Sequence, residues 1–514
     1  MSDVIFIEYH KLFLKGRYSV SIINELFVNG LTKPSKKALQ HGNRILSYTQ
    51  YITLIKNIGD KLLEIGIRKR DVIGYFVSDP FDFMVCSLAF NYIDAVIMPI
   101  DPNQGEKKLD SLINKYNINY IFSQKESILG ENINNKINIE SFNLFYKKVY
   151  ESKSNVPDDV EFILLTSGTT STPKAVMLTK KNILSTVSSI RNYLEIQNDD
   201  SVLLFKNLTH SSTFTGEFLL SVYSSITIYI SKLLPSSKNI IYQMKQYNIT
   251  ILFTIPEMLK TLFSNDYTIT KDLNLRIISC SGSMVSSDLI KELVTKNPQI
   301  NFINAYGQTE ASPRITYIES KDLREKSDSV GKPLPNVNVK IINNLGKECL
   351  PLEIGEIVVQ GPNIMKGYLE DKEKTNSILK NGKLYTKDLG YMDKDGFLYI
   401  TGRIDNMFII NGRNIHPEEV ESVLLSDQSV KDCLVKKENN NVTAYITFKT
   451  ECTPIKNKLL INCKNSLDYY KIPKKFFLTN EIKKNHNNKT IRNQVIREAE
   501  DITKLIFNMN DYIK

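Results

Sequence analysis

The stretch Leu164-Leu-Thr-Ser-Gly-Thr-Thr-Ser-Thr-Pro-Lys174 is an apolar run that breaks into a hydroxyl-crowded loop and closes on a lysine. Such a loop suits phosphate oxygens. Gly168 permits a tight turn that points backbone N–H groups inward, the Ser and Thr hydroxyls donate further hydrogen bonds, and Lys174 adds a point charge. Taken alone, an ordinary Ser/Thr-rich surface loop explains the composition equally well. A P-loop does not: counted from Gly168, its second glycine is Pro173, and Ala175 follows Lys174 where Ser or Thr should bind magnesium. Downstream, Tyr306-Gly-Gln-Thr-Glu310 places a carboxylate straight after a Tyr-Gly turn. A carboxylate there has the hard-oxygen chemistry that holds a divalent cation across phosphate oxygens.

The elements that must position these groups alternate. A helix-like segment at Tyr51–Leu63 leads into the apolar run Val72–Val77, and a second helical stretch after Asp79-Pro80 ends at Val96-Ile97-Met98-Pro99. Short β-rich runs at Asn119–Phe122, Glu161–Leu165, Ser201–Phe205, Ile226–Ile230, Ile251–Thr254, Arg276–Ser279 and Asn301–Asn304 are separated by helix-length segments. This rhythm predicts an α/β fold on a parallel sheet. After about Gly331 the pieces shorten and Gly and Pro punctuate them, which predicts a small β subdomain. Beyond Arg403 come a strand at Met407–Ile410, a turn at Asn411-Gly412, a helix begun after Pro417 with acidic first turns, and β-like Val442–Phe448. That order predicts a compact α+β terminal domain.

Composition narrows the function classes. The chain has 514 residues, 42% hydrophobic and 24% charged, which is ordinary for globular domains and long enough for several cores. Phe218–Ser231, the longest uncharged stretch, is too short to span a membrane, and the charged amino end lacks a secretory apolar core. The six cysteines (86, 280, 349, 433, 452 and 463) have no CxxC spacing, so reduced thiols and a cytoplasmic setting are expected. A net charge of +10 without any basic block favours small anionic ligands or an acidic partner over nucleic acid.

Four further pieces join the hydroxyl-rich loop in order: Tyr306-Gly-Gln-Thr-Glu310, Tyr385-Thr-Lys-Asp-Leu-Gly390, Thr401-Gly-Arg-Ile-Asp405 and Asn488-Lys489-Thr-Ile-Arg492. Together they resemble the signature set of the adenylate-forming superfamily, which includes acyl-CoA synthetases, adenylation domains of nonribosomal peptide synthesis and luciferases. The resemblance runs from Ser47-Tyr48 through Gly331-Lys-Pro-Leu-Pro335 and Gly355-Glu-Ile-Val-Val-Gln-Gly361 to Lys489. Any one piece is weak, and five in order are very specific. It implies an amino-terminal domain over 1–403, built of two α/β sheet subdomains plus the small β subdomain. A hinge at 404–406 and a mobile α+β domain at 407–514 would follow.

Carried over residue by residue, the resemblance implies that Thr166, Ser167, Gly168, Thr169, Thr170, Ser171 and Lys174 handle the β- and γ-phosphates of ATP. Asn304, Ala305, Tyr306 and Gly307 would flank adenine, Thr309 would contact phosphate, and Glu310 would hold Mg2+. Asp388 would accept from the ribose hydroxyls, with Arg403 beside the ribose and phosphate. Ser281, Gly282 and Ser283 would line the cleft. Lys489 would bring positive charge to the reacting phosphate as a carboxylate attacks it; Lys483 and Lys484 are the alternatives in the same lysine-rich tail. Asp405 matches the hinge, and Gly412 matches a loop that leaves room for a phosphopantetheine thiol, although a plain β-turn needs that glycine too. Ser171, Ala175 and Asn488 stand where glycine is usual.

For the acyl pocket, Leu208-Thr-His210 followed by Phe214–Leu220 resembles the segment where aryl and fatty acyl activators place a histidine. His210 and Phe214 would line that pocket, and Gly216 would let a longer chain pass. No aspartate lies in 208–216 to pair with an α-ammonium, so an acid with an uncharged α-carbon is expected. Glu217 would cap or flank the helix. The implied reaction is acyl-AMP formation followed by transfer to the thiol of coenzyme A or a carrier protein, with basic Lys471, Lys474, Lys475, Lys483 and Lys484 suiting either partner. The rival readings are a stand-alone enzyme loading an amino acid onto a carrier, and a non-catalytic nucleotide or acyl sensor.

Overall fold

The computed structural model describes residues 22–101, 106–125, 129, 135–139, 142–149, 155–166, 173–263, 272–427, 429–449, 456–484, 490–492, 494–496, 498–503 and 506. Ser167, Gly168, Thr169, Thr170 and Ser171 of the hydroxyl-rich loop lie outside the described residues, as do Asn488 and Lys489.

Two large sheets face each other across a shared helical layer. In the first, eight described strands run in the order Gly367–Tyr368, Lys174–Thr179, Val160–Thr166, Val96–Pro99, Val72–Phe76, Tyr120–Ser123, Phe142–Lys148 and Lys136–Ile139. In the second, nine run Lys332–Pro333, Thr316–Glu319, Asn301–Tyr306, Ile277–Ser281, Ile251–Thr254, Ser201–Leu204, Thr227–Ile230, Lys37–His41 and Arg44–Ser47. Side chains alternate between faces along each strand. Ile73 and Tyr75 of one sheet and Val202 and Leu204 of the other therefore join the central core, while Val72 and Phe76 face one outer core and Leu203 the other. Strands covered on both faces are continuous apolar runs, which is why the sequence shows them without polar alternation.

The helices Tyr48–Glu64, Pro80–Tyr92 and Lys180–Tyr193 fill the layer between the sheets. Pro80–Tyr92 is buried along nearly its whole length and starts cleanly, because Asp79 accepts from the backbone N–H groups of Phe81 and Asp82 and Pro80 needs no donor partner.

The sheets are mixed where the alternation predicted parallel pairing. Val160–Thr166 and Lys174–Thr179 pair antiparallel, and Thr316–Glu319 returns antiparallel along Asn301–Tyr306. Connections short enough for a hairpin allow this. Asn338–Ile342, Gly355–Gln360, Lys383–Met392 and Leu398–Arg403 form the small β subdomain. The terminal segment has a sheet in the order Val430–Glu438, Asn441–Phe448, Lys475–Thr479 and Ala499–Asp501, packed on the helix Pro417–Leu425. Between the two parts stands a single 3-10 turn, Ile404–Asn406. No helix is long and apolar enough to cross a membrane among the described residues.

Candidate active site

Parallel strands carry ligands at their carboxyl ends, where neighbouring chains diverge. Here Ile277–Ser281 and Asn301–Tyr306 end side by side, with Ser281 opposite Ala305. Buried Asn304, Ala305 and Ser281 thus form the floor of a cleft, and exposed Gly282 and Ser283 its rim. The chain leaves Tyr306 through Gly307, passes a 3-10 turn at Thr309–Ala311, and reverses at the cis Ser312-Pro313 bond. The reversal is so tight that a Cβ on Gly307 would sit 1.9 Å from the Pro313 carbonyl oxygen, so only glycine fits.

The turn brings three sequence-distant groups together. The Tyr306 hydroxyl donates to Asp388 Oδ2 at 2.5 Å, and Arg403 Nη1 lies 3.0 Å from Asp388 Oδ1. Asp388 and Arg403 are direct cross-strand partners, so the small β subdomain presents them as a pair. Burial and the Asp388 carboxylate push the Tyr306 phenol well above its usual range. Burial pulls Arg403 down, but Asp388 and then Asp405 outweigh it and hold the guanidinium more firmly charged. Asp405 itself is exposed, 3.9 Å from Arg403 Nη2.

Glu310 is buried at the start of the 3-10 turn and accepts a 2.6 Å hydrogen bond from the Tyr368 hydroxyl. Lys174 Nζ lies 5.1 Å from the centroid of the same Tyr368 ring. Tyr368 reaches both because Gly367–Tyr368 pairs antiparallel with Lys174–Thr179 at the sheet edge. Burial, then Glu310, raises its phenol, which stays a donor at any ordinary pH. Ala175, where glycine is usual in the resemblance, is a fully buried strand residue opposite Leu165. Thr309 Oγ1 lies 2.9 Å from Ser211 Oγ, which ties the Tyr-Gly turn to the segment after His210.

The residues fit Mg2+ in the way that ion is usually held. Glu310 is a buried carboxylate in the turn after Tyr306, and no described cluster of three His, Cys, Asp or Glu side chains builds an all-protein cage. Magnesium takes one or two carboxylates and completes its shell with phosphate oxygens and water.

The acyl segment differs from expectation in three ways. Phe214 is a core residue, packed on Phe83, Phe162 and Phe218 in the layer between the sheets. Gly216 opens no channel, because Arg314 Nη2 lies 3.1 Å from the position a Cβ would take. Glu217 neither caps nor flanks: it is buried inside the helical segment Phe214–Leu219, 2.5 Å from Lys206 Nζ. Burial raises its carboxyl and Lys206 opposes that shift. His210 is half-buried and its carbonyl accepts from Phe214 N at 2.7 Å.

Two predicted positions stay away from this cluster. Asn411 and Gly412 have φ of 49° and 76°, the two positive values a two-residue hairpin requires, and join the strands Phe408–Ile410 and Arg413–Ile415. Lys437 Nζ and Asn440 bind that hairpin to the terminal domain. Lys484 pairs with Asp432 at 2.6 Å, and Lys471 with Glu419 and Asp468, so part of the basic surface is neutralised internally. Lys484 and Thr490, the two ends of the stretch that holds Lys489, form a bridge. Sequence reasoning missed Tyr368, Ser211, Lys206 and Arg314, whose places depend on contacts between segments distant in sequence.

The family model described as AMP-binding enzyme matches residues 27–369. A 2-succinylbenzoate–CoA ligase of Bacillus licheniformis is 28% identical over 90% of this chain and 97% of that protein. A feruloyl-CoA synthase of Amycolatopsis is 25% identical over 90% and 96%. The o-succinylbenzoate CoA synthetase of Bacillus subtilis in complex with ATP and magnesium superposes with a TM-score of 0.80 at 26% identity, covering 92% of this chain and 98% of that one. Its complex with the acyl-adenylate intermediate gives 0.81 at 25% identity, over 93% and 98%. The chain belongs to the AMP-binding enzyme family and is an ATP-dependent, AMP-forming acid–thiol ligase.

Proposed function

We propose that this enzyme activates an aromatic carboxylic acid and transfers it to coenzyme A in the cytoplasm. The observation that carries the reading is the buried Lys206–Glu217 pair. The acidic side chain of the acyl segment is already matched by a cation, so none is left for an α-ammonium group, which speaks against amino acids. Similarity to 2-succinylbenzoate and feruloyl ligases along nearly the full length supports an aromatic acid and coenzyme A over a carrier protein. The five free cysteines among the described residues support a reducing compartment.

In the first step a carboxylate oxygen of the acid bonds to the α-phosphorus of ATP and pyrophosphate leaves. Tyr306 and its neighbours Asn304, Ala305 and Gly307 receive adenine. Asp388 keeps lone pairs for the ribose hydroxyls while Tyr306 and Arg403 hold it still. Lys174, Thr309 and the hydroxyl-rich loop meet the outer phosphates. Glu310 would hold the magnesium ion, which would supply charge neutralisation to the phosphates. Lys489 adds a cation to the oxygens that gain charge in the transition state. In the second step the coenzyme A sulfur bonds to the acyl carbon, its proton goes to solvent, and AMP leaves. Residues 1–403 and 407–514 act as two domains that rearrange between the steps about Asp405, bringing the Gly412 hairpin to the thiol path.

Incubation with ATP, Mg2+, coenzyme A and a panel of acids, read by intact mass, tests the reading. Thioesters of aromatic acids are expected. Products only from amino acids, or only on a phosphopantetheinylated carrier, would overturn it.

A further inference from the structure

The second sheet carries a surface on the same rim as the cleft that nucleotide binding does not use. Thr227–Ile230 runs parallel to Ser201–Leu204 and, through Ile251–Thr254, to Ile277–Ser281, so these strands end on the rim that holds Ser281. Three strand spacings, about 14 Å, separate the first from the last. The chain leaves Ile230 into Ser231-Lys-Leu-Leu-Pro-Ser236, where Leu233 is 41% and Leu234 84% exposed. This loop is pinned: Ser231 Oγ donates to the Leu233 carbonyl at 3.0 Å, Asn239 Nδ2 donates to the Leu234 carbonyl at 2.9 Å, and Ser236 caps the helix Ser237–Gln246. Lys37–His41 ends on the same rim, and its hairpin turn lies against Lys232, whose side chain fills the space beside Gly42. Ile45, on the returning strand, is 47% exposed. The helix buries Ile240, Gln243 and Met244, which leaves Lys238, Tyr242 and Lys245 on its outward stripe, with Tyr242 58% exposed.

The charge on this surface has one sign. No Asp or Glu occurs from Phe218 to Pro256, so the segment brings Lys232, Lys238 and Lys245 and no carboxylate of its own. Lys245 pairs with Asp272, and the neighbouring Arg44 pairs with Asp79 and Asp82, whereas Lys232 and Lys238 form no ion pair among the described residues. A second copy is a poor match, because a twofold contact would set these lysines against themselves with no acid between them. Exposed leucines at a loop tip, a tyrosine beside them and unpaired lysines around them complement an apolar layer under negative headgroups. We infer that this rim docks the enzyme reversibly on an anionic lipid bilayer. Leu233 and Leu234 enter the acyl boundary, Tyr242 lies at headgroup level, and Lys232 and Lys238 meet the headgroup phosphates. Neither the apolar nor the charged contribution holds a protein at a bilayer alone, and the two together do.

Flotation of the full-length enzyme with lipid vesicles tests this, and it needs no acid substrate, so the result stands whichever acid the cleft takes. Wild type is expected to float with an equimolar mixture of phosphatidylglycerol and phosphatidylcholine. It should partition about tenfold more weakly onto phosphatidylcholine alone, and likewise onto the anionic vesicles in about 0.5 M NaCl. Leu233→Ser/Leu234→Ser and Lys232→Gln/Lys238→Gln are each expected to lower partition onto the anionic vesicles by about tenfold, with acyl-adenylate formation in vesicle-free buffer unchanged. If the double leucine change is insoluble, Leu234→Ser takes its place. Wild type that stays unbound, or binding that survives both variants, overturns the inference. Binding that is lost with the lysines but kept without the leucines is mere counter-ion attraction and overturns it too. A wild-type dimer in sedimentation that the leucine changes dissociate, with no vesicle binding, would assign the surface to a second copy instead.

Discussion

The Tyr368 hydroxyl donates a 2.6 Å hydrogen bond to Glu310 Oε1, joining an edge strand of the first sheet to the turn that ends a strand of the second. The carboxylate assigned to magnesium is thus oriented by a residue from the opposite sheet, and the same ring faces Lys174. Hydrogen bonds to charged groups contribute about 1.5–3 kcal/mol, and loss of a partner that orients a metal ligand lowers metal affinity about 10–100-fold. Tyr368→Phe is therefore expected to raise the Mg2+ concentration for half-maximal adenylation about tenfold, with the acid KM unchanged. Titration of pyrophosphate release against Mg2+ measures it, and an unchanged midpoint would show that the hydroxyl does not serve the metal.

Asp388 carries two fixed partners, Tyr306 and Arg403, before any nucleotide arrives. Replacing it by Asn removes the charge that holds Arg403 and weakens acceptance from the ribose. Steady-state kinetics of Asp388→Asn are expected to show the ATP KM up by about 10–100-fold, against a much smaller change in the acid KM. Tyr306→Phe, which removes one of the two partners, should cost less. A variant in which both KM values rise together would place Asp388 in general folding instead of ribose binding.

Much of this cleft is legible in the sequence because its parts are short motifs. Tyr306 and Glu310 share one turn, and Asp388 and Arg403 sit in two strands that each carry a recognisable local pattern. Tyr368 was not legible, since its place depends on Gly367–Tyr368 pairing with Lys174–Thr179 almost two hundred residues earlier. Gly216 and Glu217 were misjudged for a related reason. Gly216 reads as open space until the cis-proline reversal is seen to lay Arg314 over it, and Glu217 reads as a helix cap or flank until Lys206 is found beside it. Parallel pairing was over-predicted because alternation reveals strands but not the direction of a neighbour brought back by a tight loop.

Lys489 separates the two half-reactions. Lys489→Ala is expected to lower acyl-AMP formation by about 10²–10³-fold, while thioester formation from supplied acyl-AMP and coenzyme A stays within about threefold. Single-turnover assays of each half-reaction read this directly. Equal loss in both would assign the charge delivery to another residue.

Asp82, almost fully buried, receives Arg44 at 2.6 Å and Gln124 at 2.7 Å, yet burial and the neighbouring Asp79 push its carboxyl up to about 6. The folded state therefore binds this proton more tightly than the unfolded chain, whose value is 3.8. Stability from this group is full below 3.8 and is lost as pH rises through about 6. Asp82→Asn keeps an oxygen for Arg44 and does not titrate. Relative to wild type, its Tm should climb by on the order of 3 °C between pH 4 and pH 6.5 and then level off. A difference that is flat with pH would mean that Asp82 titrates alike in both states.

The central claim is that separate stretches of this chain close around ATP and magnesium to make an acyl-adenylate reversibly. Acid-dependent exchange of labelled pyrophosphate into ATP tests it most directly. Exchange that requires both Mg2+ and an aromatic acid, and that collapses in Asp388→Asn, is the predicted result. A folded wild-type enzyme that binds ATP but exchanges pyrophosphate with no acid in the panel would contradict the account.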